Sequence, residues 1–416
     1  MHPNALKNIK DHIEIALQGC LVKDRWPIFE SYTDTVSSLS REVIKHKKQW
    51  LTVPNCYSIF LDYLHSYLKT KFTQIEDATG KLTELIDRDE ILELETSILD
   101  FITSIPRTYE IYFPLPSFKD PEIINIQLSD SLFIKKFNEG DSPLVIVNRL
   151  RGIPTGFKEL EAGTTYVVIK ASGYARSSID DMAFRESLSS LKQLLHMCLV
   201  LNLIKLQEPQ VSLSDFIGGA LYSRTIEATI IDLANQNEIF GSITLPLPIA
   251  SHIHKIILNT SSKKFTDAKQ HGEGGIGNLF KSHLNETSNL IKTNHSNAQS
   301  VKSAIEWAFD SQVEENETIS FIQLSIGLEA ILGEETGREP LTETLADRCA
   351  YLLANTIENR KIIRNNFREF YSLRSKLVHG RSMRLKDEEK GFLEWGKHVL
   401  NGTILKEIKN LKLLEE

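Results

Sequence analysis

The chain has 416 residues, 41% of them hydrophobic and 25% charged, with a formal net charge of −7. That length exceeds one typical core and predicts two or three domains, while the ordinary apolar content excludes a disordered chain. The negative balance excludes a broadly basic nucleic-acid surface, because phosphate binding draws on clustered Lys and Arg; any such contact has to be local.

The chain opens MHPNALKNIKDHIE, without a basic stretch followed by an apolar run, so no secretory signal is expected. Residues 1–104 read as a helical N-terminal region. Ile13, Ile15, Leu17 and Leu21, and later Ile59, Leu61, Leu64 and Leu68, recur at helical intervals, with breaks at Trp26-Pro27 and Val53-Pro54. Lys81 to Ile105 reads as one amphipathic helix with a solvated acidic face. No catalytic constellation falls here. Cys20, Cys56, Cys198 and Cys349 show no CxxC spacing, so they read as reduced, buried thiols.

Residues 105–295 change texture and predict a mixed α/β middle domain. TYEIYF, EIINIQL, SPLVIVNRL and TTYVVIKASGY are strand-like runs divided by Pro, Gly and Asp. Asp181 to Leu206 returns to helical periodicity through Leu188, Leu191, Leu194, Leu195 and Cys198. Thr225 to Leu233 and Ile239 to Leu247 are the strongest later strands. The apolar run Leu194 to Leu206 is shorter than a membrane span and carries His196, Asn202 and Lys205, so no membrane partner is expected and the cytoplasm is the expected compartment.

Three further features in this half bear on chemistry. HGEGGIGN, His271 to Asn278, is glycine-dense but lacks a P-loop ending and reads as a flexible connection. His252 and His254 would share one side of a strand, yet no third ligand completes a zinc set, so they read as surface histidines; His295 has no evident partner. GxSxG, HExxH and a magnesium-binding aspartate cluster are all missing from the sequence. No metal and no cofactor is therefore predicted.

Residues 296–416 predict an all-α bundle, with helices over about 296–314, 318–332, 341–356, 358–379 and 387–412. Gly333 and Gly337 punctuate the loop after the second helix, and Pro340 sets up the third. Glu329 shares a face with Ile322 and Ile326, and Arg348 lies among Leu345, Tyr351 and Leu352. The two charges are expected to pair inside the bundle, or else to help position Arg374.

The stretch Asn365 to Met383 holds the strongest candidate chemistry. Phe367, Phe370, Tyr371, Leu377 and Val378 fall on one helix side with Arg374 in their midst. A guanidinium there needs either a carboxylate or an anionic ligand such as phosphate. His379 falls in the last turn, where free carbonyls favour a cation, and Gly380 reads as the left-handed residue that stops the helix. Arg374, Lys376, Arg381, Arg384 and Lys386 form a local basic concentration, or a solvated helix end; Lys376, Arg381 and Arg384 are the candidate RNA contacts.

Ser303 to Arg381 resembles the Apea-like branch of the HEPN superfamily. The resemblance rests on SAIEWAFDSQ, ISFIQLSIGLEAILG, LADRCAYLL and FYSLRSKLVHG, in that order and at about that family's spacing. Its signature, Arg then four to six residues then His, is matched by Arg374 and His379. Ser375 stands where many HEPN nucleases carry Asn, Asp or His, a departure usual in this branch. The resemblance implies an endoribonuclease acting on RNA, tRNA among the candidates, in prokaryotic antiphage defence or a toxin-like response. It also implies a homodimer with a composite cleft and a regulatory or sensing N-terminal region, with an unidentified trigger or antitoxin as further partner. RNA supplies its own 2′-hydroxyl nucleophile, so His379 would move protons, Arg374 would stabilise the phosphorane, and Ser375 or Tyr371 would orient the RNA. The expected ends are a 2′,3′-cyclic phosphate and a 5′-hydroxyl. The alternative from another class is a non-catalytic HEPN dimer that binds nucleic acid or a nucleotide as a scaffold.

Overall fold

Residues 1–29, 35–72, 78–118, 125–137, 144–147, 157–207, 225–235, 238–270, 275–333, 341–380 and 384–411 are described by the computed structural model of the chain. They form a mixed α+β protein in which helices outweigh three sheets. Among them, no helix is long and apolar enough to cross a membrane.

The first element group is built from α1 (Pro3–Gln18), α2 (Thr35–Lys47), α3 (Val53–Lys71), α4 (Leu82–Leu85) and α5 (Arg88–Ser104). Ile9, Ile13, Ile59, Phe60, Leu64 and Ile98 meet in one core. Residues 20–29 depart from the helical expectation. Asp24 and Arg25 both adopt positive φ, turning β1 (Cys20–Lys23) back onto β2 (Trp26–Phe29) through a two-residue loop, with β3 (Gly80–Lys81) on the other edge. Pro27 sits on the edge strand, where a missing N–H is tolerated. Val53-Pro54 is a helix start rather than a break, since Thr52 caps α3 and Pro54 occupies its first turn. The single helix expected over Lys81 to Ile105 is two, because Asp87 and Glu90 exchange a capping box that begins α5 afresh. Its acidic face is only partly solvated: Glu95 is buried 3.7 Å from Lys10.

The middle of the chain carries an eight-stranded sheet. In chain order its strands are β4 (Arg107–Leu115), β5 (Asn125–Gln127), β6 (Leu132–Lys136), β7 (Leu144–Val147), β8 (Phe157–Glu159) and β9 (Thr165–Gly173). After β10 (Ile204–Leu206), which lies in another sheet, β11 (Glu227–Asp232) and β12 (Glu238–Thr244) complete it. The spatial order is β5-β6-β9-β4-β11-β12-β7-β8, antiparallel except where β7 meets β12. Alternate residues Tyr109, Ile111, Phe113, Val167 and Ile169 point to a core shared with α6 (Met182–Val200). The expected helix to Leu206 stops earlier: Asn202 takes φ 58 and redirects the chain into β10, which pairs with β13 (Ile256–Leu258).

His252 and His254 lie on a helix, α7 (Leu247–Lys255), rather than on a strand. Two residues apart, they point to nearly opposite sides and share no metal position, and His252 is buried rather than on the surface. Of the glycine-dense stretch, His271 to Gly274 lie outside the described residues. From Gly275 onward it is helical, as α9 (Gly275–Lys292) following α8 (Lys263–Gln270). A Cβ on Gly275 would stand 2.1 Å from the Ala268 carbonyl oxygen, so the glycine permits the close crossing of the two helices. His295 accepts from the Asn297 amide and so caps the next helix. All four cysteines are buried and free, and burial pushes each thiol up to about 12.

The last five helices are α10 (Ser296–Val313), α11 (Glu317–Leu332), α12 (Leu341–Leu353), α13 (Ile357–Val378) and α14 (Lys390–Asn410). The third stops at Leu353 rather than 356, and the fifth begins at Lys390 after a 3-10 turn over Asp387–Glu389. Gly337 and Pro340 lie outside the described residues. Helix α6 is common to the sheet core and the bundle core. Leu191, Leu194 and Leu195 face the sheet, whereas Met197 packs with Ile305, Phe321 and Leu400 of the bundle.

Candidate functional site

Helix α13 is set at both ends by its own sequence. The Thr356 hydroxyl accepts from the Asn359 amide at 3.2 Å, and Gly380 takes φ 68, the left-handed conformation that ends the helix after His379. Phe367, Phe370, Tyr371, Leu373 and Leu377 are buried. Val378, expected on the same stripe, is exposed because it falls at the rim of the bundle. The Phe367 and Tyr371 rings stack at 5.1 Å, Phe370 lies 4.3 Å from Phe321 of α11, and Trp395 of α14 meets both phenylalanines. These rings fix the rotation of α13 and hence the direction of Arg374.

The guanidinium of Arg374 meets Glu329 of α11. Nη2 lies 3.1 Å from Oε1 and 3.5 Å from Oε2. The side chains are 27% and 25% exposed, so the pair is desolvated enough to be held yet still open on one side. Tyr371 belongs to the same group: burial, with the Glu329 carboxylate beside it, holds its phenol above the usual range. The pairing differs from the expected Glu329–Arg348 contact, since Glu329 meets Arg374. Arg348 instead donates from Nη1 to the Leu332 carbonyl at 2.7 Å.

His379 is exposed at the helix end, and its side chain makes no hydrogen bond or ion pair among the described residues. Five residues of helix place it about 140° around the axis from Arg374 and roughly 7.5 Å along it. The two signature residues thus share an end of one helix without touching. Ser375 is half-buried between them, and Lys376 is exposed without an ion-pair partner among the described residues. Arg384 is exposed, Lys386 lies 3.8 Å from Glu388, and Arg381 falls outside the described residues. Two other cations of α13 are engaged by acids: Arg368 makes a two-pronged contact with Glu343, and Arg364 reaches Asp347 at 2.6 Å.

Around the Arg374–Glu329 pair, α11 is apolar on nearly all sides. Ile319 is 45% exposed, and Ile322 and Ile326 are half-buried on the face that also carries Glu329. Chemically, the arrangement offers an oriented guanidinium, an exposed imidazole and an apolar border. No group of three or more metal-ligating side chains occurs among the described residues. The fold and this helix end define a mixed α+β protein with a C-terminal helical bundle carrying an Arg-x4-His helix terminus. Comparison with protein-family models, with curated proteins and with solved structures finds no match.

Proposed function

We propose that the protein is a metal-independent endoribonuclease effector whose residues 296–416 form a HEPN-like bundle and act as a homodimer. The carrying observation is the end of α13, where Glu329 orients Arg374 and leaves His379 exposed. In the reaction His379 removes the proton of the 2′-hydroxyl, and that oxygen attacks the adjacent phosphorus. The 5′-oxygen leaves with a proton supplied by His379 of a second copy, producing a 2′,3′-cyclic phosphate and a 5′-hydroxyl. Arg374 balances the extra negative charge of the phosphorane. Half-buried Ser375 orients the RNA, while Tyr371, expected to share that task, is buried against Glu329 and supports the Arg374 pair instead. The half-exposed isoleucines of α11 supply an apolar surface for the second copy, beside the pair that both active sites need.

The biological setting that fits such chemistry is prokaryotic defence or a toxin-like response, answering a trigger or an antitoxin, with the preceding residues restraining the bundle. The alternative, a binding or scaffold dimer, draws support from Glu329, which already compensates the charge that phosphate would meet. The decisive experiment is incubation of purified protein with total RNA and tRNA in EDTA, wild type against His379→Ala, with product ends identified. The expected result is cleavage by the wild type only, with cyclic phosphate ends. Equal cutting by both places the chemistry elsewhere, and RNA binding without cutting by either favours the scaffold.

A further inference from the structure

A second polar site lies away from Arg374. β6 and β9 of the sheet meet α6 and α10 around a cleft of about 670 Å³, within the roughly 300–1,000 Å³ typical of small-molecule sites. Its walls carry Ser131 and Ser172 from the sheet side, Ser189 and Ser190 from α6, and Ser303 and Trp307 from α10. Such hydroxyls suit a polar ligand rather than a lipid or steroid.

The charges in the cleft are unevenly matched. Glu306 accepts from Ser189 at 2.5 Å and from Gln193 at 2.9 Å, and Asp310 accepts from Lys192 at 2.7 Å. Lys170 and Lys292 reach Glu110 and Asp130 outside it. Arg185 and Lys302 remain without a carboxylate in ion-pair range among the described residues. Arg185 touches the Met182 sulfur, and Lys302 donates to the carbonyls of Ile291 and Thr293. Glu186 lines the same cleft; partial burial raises its carboxyl, and Arg185 and Lys302 draw it down. Gln193, 3% exposed, lines the same cleft with its Oε1 unpartnered. Two cations on one cleft wall without a direct ion pair suit a doubly charged anion, and the carboxylate near them suits hydroxyl donors.

We infer that this cleft binds a small hydroxylated organophosphate. Arg185 and Lys302 take the phosphate, Glu186 and the serines take the hydroxyls, and Trp307 lies against the less polar part. The site stands whether or not the chain cleaves RNA. It joins the sheet to the bundle, because its walls come from both.

Titration calorimetry of the full chain with AMP, ribose 5-phosphate, inorganic phosphate and adenosine tests this. AMP or ribose 5-phosphate is expected to bind, with Arg185→Ala and Lys302→Met each weakening it by about tenfold, the loss of one charged contact. Arg185 is exposed, so its variant keeps the fold and is the cleaner arm. Binding of AMP alone identifies a nucleotide, and equal binding of ribose 5-phosphate a sugar phosphate; both support the site. Absence of binding by either phosphorylated compound overturns it. So does adenosine matching AMP, inorganic phosphate matching both, or an Arg185→Ala affinity equal to wild type.

Discussion

At the residue scale, Arg374 is explained by the side chain it meets. An arginine inside an aromatic stripe has to be compensated, and Glu329 is the sole acid between Ser320 and Leu332. In the proposed reaction Glu329 is therefore a positioning residue. Glu329→Gln keeps the shape and a hydrogen-bond acceptor but removes the charge, so kcat for RNA cleavage is expected to fall about tenfold with KM little changed, a loss typical of one charge-assisted hydrogen bond. Because both groups remain partly open to solvent, thermal stability should move by less than about 1 kcal/mol. Unaltered kcat in that variant would reduce the pair to a structural contact. The need for a partner to Arg374 was legible in the sequence; the choice of Glu329 over another acid was not, because it depends on how α11 and α13 rotate against each other.

At the element scale, that rotation is set by close helix contacts. A Cβ on Gly396 would lie 2.7 Å from a ring carbon of Phe370, and one on Gly327 would lie 2.8 Å from Leu400. Phe370 is fully buried between Phe321 and Trp395 and cannot swing away. Gly396→Ala is therefore expected to lower stability by about 1–3 kcal/mol through overpacking, despite its better helix propensity. Chemical unfolding measures it, and a stabilised variant would mean that α13 and α14 separate easily. The five bundle helices were legible to within a few residues, since caps and 3.6-residue periodicity are local. The β1–β2 hairpin was not: its turn uses Asp24 and Arg25 at positive φ, which the residue types do not announce.

At the scale of the whole molecule, α6 holds the sheet and the bundle together, and its buried polar side chains set an acid limit. The His196 ring bonds Asn401 of α14 at 2.9 Å through Nε2, while His252 of α7 packs edge-on against Phe309. Burial pushes both histidines down to about 4, with Lys255 and His196 lowering His252 further. Unfolded, each titrates near 6.5. Below about pH 6.5 the unfolded chain therefore takes up protons that the folded one refuses. Stability falls through that window and levels near pH 4, at up to about 1.4 kcal/mol per pH unit for each histidine. The urea midpoint should drop between pH 7 and pH 5, and His252→Gln should flatten the drop; an unchanged slope would assign it to other groups. The proposed dimer belongs to this scale too. Sedimentation at micromolar concentration is expected to show a dimer that Ile326→Lys converts to monomer, whereas a monomeric wild type would count against the composite active site.

The sequence by itself determined the helical identity of the C-terminal segments, the strand runs of β4, β9 and β11, the burial of the cysteines and the place of Arg374 and His379 at one helix end. Each follows from local periodicity, capping or side-chain chemistry. Tertiary structure decided what those residues meet: Arg374 rather than Arg348 for Glu329, Phe309 for His252, and a cleft between sheet and bundle for Arg185 and Lys302. Those outcomes depend on contacts between segments more than a hundred residues apart, or on the rotation of one helix against another, and neither is written in the spacing of a single stretch.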